Sequence, residues 1–232
     1  MRQDTPPDTV CDAPDRATRL SLASLLPYVP TSARRVLDCT GEWANRGAAL
    51  KAHGVREVVG LVDASAGEPA GGEGYDQLVT GPLDFTPIDF EPGSFDCLIF
   101  NHVLERLRNP EAFLKPVFEC LSPGGLAVLT VPNVLYHKAV FSLAEGRWCY
   151  GESGVFARKN LRFYTAYEIR WILQRMGITN VRFASLVGDG ESALPRDEQG
   201  FVRRGSIRIG PLSDEQYAAW RTEYYLVLAT HR

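Results

Sequence analysis

Apolar and polar positions switch between two periods along this chain, and the clearest switch lies between residues 95 and 133. Leu98, Ile99 and Phe100 form a short apolar run that stops at the polar pair Asn101 and His102, as a buried strand does at its end. Asn109-Pro110 then opens a helix in which Phe113, Leu114, Val117, Phe118 and Leu121 recur at helical spacing. Pro123-Gly124-Gly125 closes it before a second apolar run, Leu126 to Val131. Strand, helix, strand in that order predicts a parallel pair with a right-handed crossover. Both strands end at one edge of the sheet, so Asn101, His102, Pro132 and Asn133 are expected where open α/β sheets bind ligands.

The same reading extends over the rest of the chain. Residues 1–13 are polar and proline-bearing and read as a loose tail; Leu20, Leu22, Leu25 and Leu26 then mark a helix that Pro27 and Pro30 end. RRVLDCT (34–40) reads as a first strand, AALKAHG (48–54) as a short helix, EVVGLVD (57–63) as a second strand and YDQLVTG (75–81) as a third. AYEIRWILQRMGI (166–178) is amphipathic through Ile169, Ile172, Leu173 and Met176, with Gly177 as its stop. VRFASLVG (181–188) and YYLVLATH (224–231) are the last two strands. Between the second and third strands, ASAGEPAGGEGY is too rich in glycine and proline for a helix and reads as a flexible loop. Alternating strands and helices predict an α/β, doubly wound sheet of seven strands, in a single domain spanning residues 14–232.

Composition narrows the function classes. At 232 residues and 45% apolar content the chain can bury a core without disulfides or metal, and no metal site is expected. The 25 basic and 28 acidic side chains leave a net charge of -3, which argues against nucleic acid or an anionic membrane surface as partner. The five cysteines form no CxxC pair and read as reduced packing thiols of a cytoplasmic protein. No apolar stretch approaches a membrane span, and MRQDTPPDT is no signal peptide.

The segment GSFDCLIFNHVLERLRNPEAFLKPVFECLSPGGLAVLTVPN (93–133) resembles the fourth strand, connecting helix, Pro-Gly-Gly turn and fifth strand of class I S-adenosylmethionine-dependent methyltransferases. LAEGRWCYGESGVFARKNLRFYTAYEIRWILQRMGI (143–178) is similar to a subgroup associated with glycan and surface-polysaccharide pathways. The resemblance spans roughly residues 35–178 and implies a Rossmann-like sheet, mostly parallel, with an antiparallel last strand. It also implies S-adenosylmethionine as cofactor, leaving as S-adenosylhomocysteine.

Site residues carry over position by position. After the first strand the family has an acidic residue and then glycines at alternate places, where the backbone passes close under the methionine part of the cofactor. Here that stretch is Asp38-Cys39-Thr40-Gly41-Glu42-Trp43-Ala44: Asp38 is kept, while Thr40, Glu42 and Ala44 stand at the glycine places and Gly41 is recovered only by a one-residue shift. Asp63 ends the second strand where an acid accepts both ribose hydroxyls, with a turn or helix cap as the alternative. Asp84 falls where relatives bind the adenine amino group, and Phe85 beside it offers a backbone amide to the ring; Asn101 borders the same cleft.

Methyl transfer is an in-line displacement, so the protein holds the acceptor in place and removes a proton if the acceptor is a hydroxyl. Of the four histidines, His137 and His102 stand near the cleft; His137 is the expected base, and His102 the cofactor-side or structural residue. Residues 139–165 are expected to form a lid. Trp148, Tyr150, Phe156, Phe163 and Tyr164 could stack on a sugar face, with Tyr136 beside them as a further substrate-binding candidate, and Arg147, Arg158 and Arg162 could hold a phosphate; the lid's own small core is the alternative use of these aromatics. Ala157 and Asn160 stand where the subgroup carries an aspartate and a histidine before its LRFFT stretch. Two functions stay open: a methyltransferase acting on a hydroxyl of a sugar or related small molecule, and a non-catalytic methyltransferase-like binding or partner subunit. The expected partners are a small-molecule or glycan acceptor and, at the protein level, a second copy or a partner protein.

Overall fold

The computed structural model describes residues 24–40, 46–63, 72–188, 190 and 193–230. The expected tail, most of the expected first helix, Gly41 to Ala44, the glycine-rich run 64–71 and His231 lie outside the described residues. Within them, strands β1 (Arg35–Thr40), β2 (Glu57–Asp63), β3 (Gln77–Gly81), β4 (Phe95–Asn101), β5 (Leu121–Pro132), β6 (Asn180–Gly188) and β9 (Thr222–Thr230) form one sheet in the order β3-β2-β1-β4-β5-β9-β6. The pairs from β3 to β5 are parallel, and β9 runs antiparallel to both β5 and β6. This is the seven-stranded sheet that the alternation of strands and helices predicts, mostly parallel with an antiparallel last strand as the resemblance implies. Helices cover both faces because the central strands are buried on both sides and need partners on each.

One face of the sheet packs on α2 (Pro110–Glu119) and α4 (Ala166–Arg175), whose Phe113, Leu114, Ile169 and Leu173 meet Leu98, Phe100 and Leu129. Asn109 caps α2 by accepting the Ala112 amide, and Thr165 with Glu168 closes a capping box on α4. The opposite face packs on α1 (Arg46–Ala52) through Leu50, together with Leu25 and Val29 beside a short 3-10 turn, Leu26–Tyr28.

Two departures from the sequence reading have local causes. Strand β5 begins at Leu121, before Pro123-Gly124-Gly125 rather than after it. The ladder with β4 shifts register between Phe95 and Cys97, and Gly124 takes a φ of 77°, so the three residues make a bulge inside the strand. Between β6 and β9 the chain adds a hairpin, β7 (Val202–Arg204) with β8 (Ile207–Ile209), and a helix, α5 (Asp214–Arg221), none of which the sequence reading included. Phe141 of α3 (His137–Ala144) packs with Leu194, Val202, Tyr217 and Trp220 from that insertion. The first part of the expected lid is therefore a core helix.

Cys39, Cys97 and Cys120 are buried free thiols. Burial pushes all three up, Cys97 to about 12, so they pack as neutral thiols. Among the described residues no helix is long and apolar enough to cross a membrane.

Candidate active site

The strand order reverses between β1 and β4, and such a switch point opens a crevice at the carboxyl ends of the strands. Thr40 faces Asn101 there, and Asn101 faces Thr130 on β5. Thr130 Oγ1 donates to Asn101 Oδ1 at 2.7 Å and accepts the His102 amide at 3.1 Å, which ties the loop after β4 to the neighbouring strand. Asn133 is fully buried; its amide donates to the Ala219 and Thr222 carbonyls, both at 2.8 Å, and pins α5 to the sheet.

Beside this crevice lies a cavity of about 370 Å³, bordered by Asp63, Asp84, Phe85, Arg106, Arg108, Arg158, Lys159 and Leu161. The structure thus brings Asp63, Asp84 and Phe85 together, and sets part of the expected lid against them. Asp84 already accepts the backbone amides of Arg108 (2.9 and 3.1 Å) and Asn109 (3.2 Å), holding the loop before α2. A carboxylate has about four lone-pair sites, so it retains capacity for one further donor. The Phe85 amide does not: it donates to the Pro82 carbonyl at 2.9 Å inside a turn, which removes the expected contact with a ring. Its side chain is 75% exposed at the cavity.

Asp38 is fully buried beneath β1's end, where Tyr75 Oη donates to its Oδ2 at 2.6 Å and Arg46 Nη1 stands 3.6 Å from its Oδ1. Burial pushes this carboxyl up, while the Arg46 charge and the Tyr75 hydrogen bond pull it back; burial likewise raises the Tyr75 phenol, which keeps it a donor. A carboxyl raised on folding contributes stability below its unfolded value and loses it as pH rises through the folded one. Tyr75→Phe removes a bond to the ionised form and moves that loss further. It should destabilise the protein by about 2 kcal/mol at pH 7.5, the size expected of a hydrogen bond to a charged group, and by clearly less near pH 4, as read from urea unfolding at both values. An equal loss at both would mean Asp38 is not ionised in the fold.

The two histidines part company. His102 follows β4 directly, and its Nδ1 lies 3.0 Å from Oε1 of the buried Glu105. His137 opens α3, is 5% exposed, and borders a different cavity of about 300 Å³ with Lys138, Phe141, Leu194, Arg203 and Arg204. His137 and the Asp63–Asp84 cavity are thus not brought together, contrary to the expectation that it reaches over the cofactor.

The aromatic and basic candidates after α3 have structural partners. Trp148 packs with Tyr150, Phe156 and Phe163 at ring separations of 4.3 to 6.1 Å, a small cluster of the segment's own. Trp148 and Tyr150 remain exposed at their outer faces, whereas Tyr136 and Tyr164 are buried. The Tyr164 hydroxyl donates to the Leu104 carbonyl at 3.4 Å, and burial pushes its pKa up. Arg162 Nε donates to the Leu107 and Arg108 carbonyls at 3.2 and 3.1 Å, so its guanidinium braces the loop after β4 instead of holding a phosphate. Arg147 pairs with Glu145, and Arg158 with Glu152 at 3.2 Å. Asn160, at the place of the subgroup's histidine, donates to the Gly154 and Val155 carbonyls at 3.1 and 2.9 Å, a clamp on its own turn.

Residues missed by the sequence reading are Glu105, Tyr75 and Arg46. Only Glu105 left a signal, an acid three residues from His102 amid Leu104 and Leu107, both buried.

The methyltransferase domain family matches residues 15–182. The chain belongs to that family. Membership carries the enzyme class, transfer of a methyl group, and with it the cofactor S-adenosylmethionine. Among solved structures the fold is similar to an S-adenosylmethionine-dependent methyltransferase from Archaeoglobus fulgidus, with 16% identity, TM-score 0.59, and 93% of this chain and 92% of that one covered. One from Mesorhizobium loti matches at 17% identity and TM-score 0.55, over 93% of this chain and all of that one. The methyltransferase in a Haloferax volcanii complex with an activator protein matches at 15% identity and TM-score 0.53, over 93% and 89%. No curated protein matches this methyltransferase.

The residues present fit the adenosine half of that cofactor. The cavity is within the volume range of small-molecule sites, and it offers the carboxylates of Asp63 and Asp84.

Proposed function

We propose that this methyltransferase acts on a hydroxyl of a sugar or related small molecule. The observation that carries this reading is His102, a partly buried histidine held against the buried Glu105 at the switch-point edge, which is the chemistry needed to take a hydroxyl proton. Bound S-adenosylmethionine would supply a methyl carbon on a sulfonium, whose carbon–sulfur electron pair leaves with sulfur as the acceptor oxygen takes the carbon.

Asp63 and Asp84 would hold the ribose and the adenine amine, each as a hydrogen-bond acceptor. Asn101 and Thr130 keep the loop after β4 in register with the crevice. Trp148 and Tyr150 present outward faces on the segment whose Arg158, Lys159 and Leu161 reach the cavity, and flat aromatic surface suits a sugar ring. The likeness of residues 143–178 to the glycan-pathway subgroup supports the same acceptor class.

Methyl-labelled S-adenosylmethionine, incubated with the protein and a panel of nucleotide-linked sugars and simple glycosides, should pass its label to acceptor oxygen as an ether. Label on nitrogen or carbon, or none in any sugar while amines become labelled, would overturn the hydroxyl reading.

A further inference from the structure

His102 has a φ of 55°, and among the described residues it is the only non-glycine with a positive φ. Such a backbone is uncommon for any residue but glycine, though Asn, Asp and His tolerate it best, and it persists where the surroundings impose it. Here the impositions are visible: the amide is bound to Thr130 Oγ1 at 3.1 Å, and Nδ1 faces Glu105 Oε1 at 3.0 Å. Glu105 is itself held on a one-turn 3-10 helix, Leu104–Arg106, whose Glu105 carbonyl accepts the amides of Leu161 (2.7 Å) and Arg162 (3.0 Å). The other ring nitrogen, Nε2, is buried and has no hydrogen-bond partner among the described residues. Most buried side-chain polar atoms find a partner, so a bare ring nitrogen at a ligand edge calls for one.

We infer that His102 is the catalytic base of this methyltransferase and that Glu105 is its positioning residue. A carboxylate at Nδ1 selects the tautomer with the proton on Nδ1, which leaves a lone pair on Nε2. The unmatched acceptor is then filled by the acceptor hydroxyl, whose proton passes to Nε2 as its oxygen takes the methyl carbon, and from Nε2 returns to solvent. Glu105 stabilises the imidazolium so formed without itself taking the proton. The ring of Tyr224 stands edge-on to His102 at 5.2 Å, and Tyr164 faces Glu105 as a neutral phenol, so Glu105 is the only carboxylate set against the imidazole among the described contacts.

This inference rests on the cofactor and hydroxyl reading above, and its test separates the two. Nitrogen-15 NMR of histidine-labelled, ligand-free protein at pH 7.5 should show His102 protonated on Nδ1 and bare on Nε2, with the preference weakened in Glu105→Gln. Calorimetry then compares S-adenosylhomocysteine with sinefungin, which carries a protonated amine at the place of the transferred methyl. Wild type should prefer sinefungin by about tenfold, as a charged donor facing an unmatched acceptor predicts. His102→Gly, which takes the positive φ freely, should lose that preference while keeping its affinity for S-adenosylhomocysteine within about threefold. If that variant does not fold, Glu105→Gln decides alone, through its tautomer mixture and a reduced preference. An undiminished preference in the variants, or a proton on Nε2 in wild type, overturns the inference. Binding of neither ligand overturns the cofactor reading, and the base assignment with it.

Discussion

S-adenosylhomocysteine should raise the melting temperature of this protein by roughly 5 to 10 °C. Ligand at about 100 times its dissociation constant adds roughly 2.7 kcal/mol to a fold that binds it only when native, and about 1 kcal/mol moves the midpoint of a domain of this size by 2 to 4 °C. The gain depends on the roughly 370 Å³ cavity holding Asp63 and Asp84 in place, and the native chain does so before any ligand arrives: Asp84 is already braced by the amides of Arg108 and Asn109. A preformed site loses little affinity to ordering. Adenosine alone should give a smaller shift, because it leaves the crevice beyond β1 unfilled. No movement at millimolar S-adenosylhomocysteine would show that this cavity does not take the cofactor.

Gly74→Ala should destabilise the fold by about 4 kcal/mol, from a strained φ of roughly 1–2 kcal/mol and overpacking of about 1–3 kcal/mol. Gly74 has a φ of 85°, and a Cβ there would stand 2.1 Å from the Ala48 nitrogen and 2.4 Å from the Gly47 carbonyl carbon, both backbone atoms that no rotamer can move. The contact is mutual, for a Cβ on Gly47 would come within 2.5 Å of Gly74. Two bare backbones therefore touch where α1 begins, joined by the Ala48 amide donating to the Glu73 carbonyl at 3.2 Å. The closeness lets Tyr75 lie over Gly60 and reach Asp38. Gly54→Ala is the control: its φ is 105° with nothing within 4 Å, so it carries the strain without the clash and should cost about 1–2 kcal/mol. Urea unfolding of both variants reads the difference. Equal losses would mean α1 and the 72–76 segment are not in backbone contact.

The sheet was legible because its signal is local. Apolar runs such as Leu98 to Phe100 and Leu126 to Val131 can be buried on both faces only as central strands, and the helical spacing of Phe113, Leu114 and Val117 leaves one place for α2. Polar residues at the ends of those strands marked the ligand edge for the same reason, since strand order and chain direction decide which edge collects them. Asp63 and Asp84, read from their distance to strand ends, do border one cavity. The β7–β8 hairpin was not legible: three-residue strands carry too few positions for a period to show, and their pairing is stabilised by Phe141 and Trp220 from other elements.

Which polar side chains face which was decided only by the tertiary structure. Arg162, Tyr164 and Asn160 have the chemistry of acceptor-binding residues, yet Arg162 and Tyr164 are engaged by carbonyls of the turn after β4, over which residues 151–164 fold back, and Asn160 by carbonyls of its own turn. Asp38 and Tyr75 are 37 positions apart and meet through two glycines in contact. Distance along the chain did not carry the difference between the two histidines: His137 turns into the packing of α3, while a positive φ and a buried carboxylate fix His102 at the end of β4. Periodicity records which residues leave water. It does not record which donor meets which acceptor once they have left, and in a low-dielectric interior that pairing is what determines whether a polar group holds the fold or is left over for chemistry.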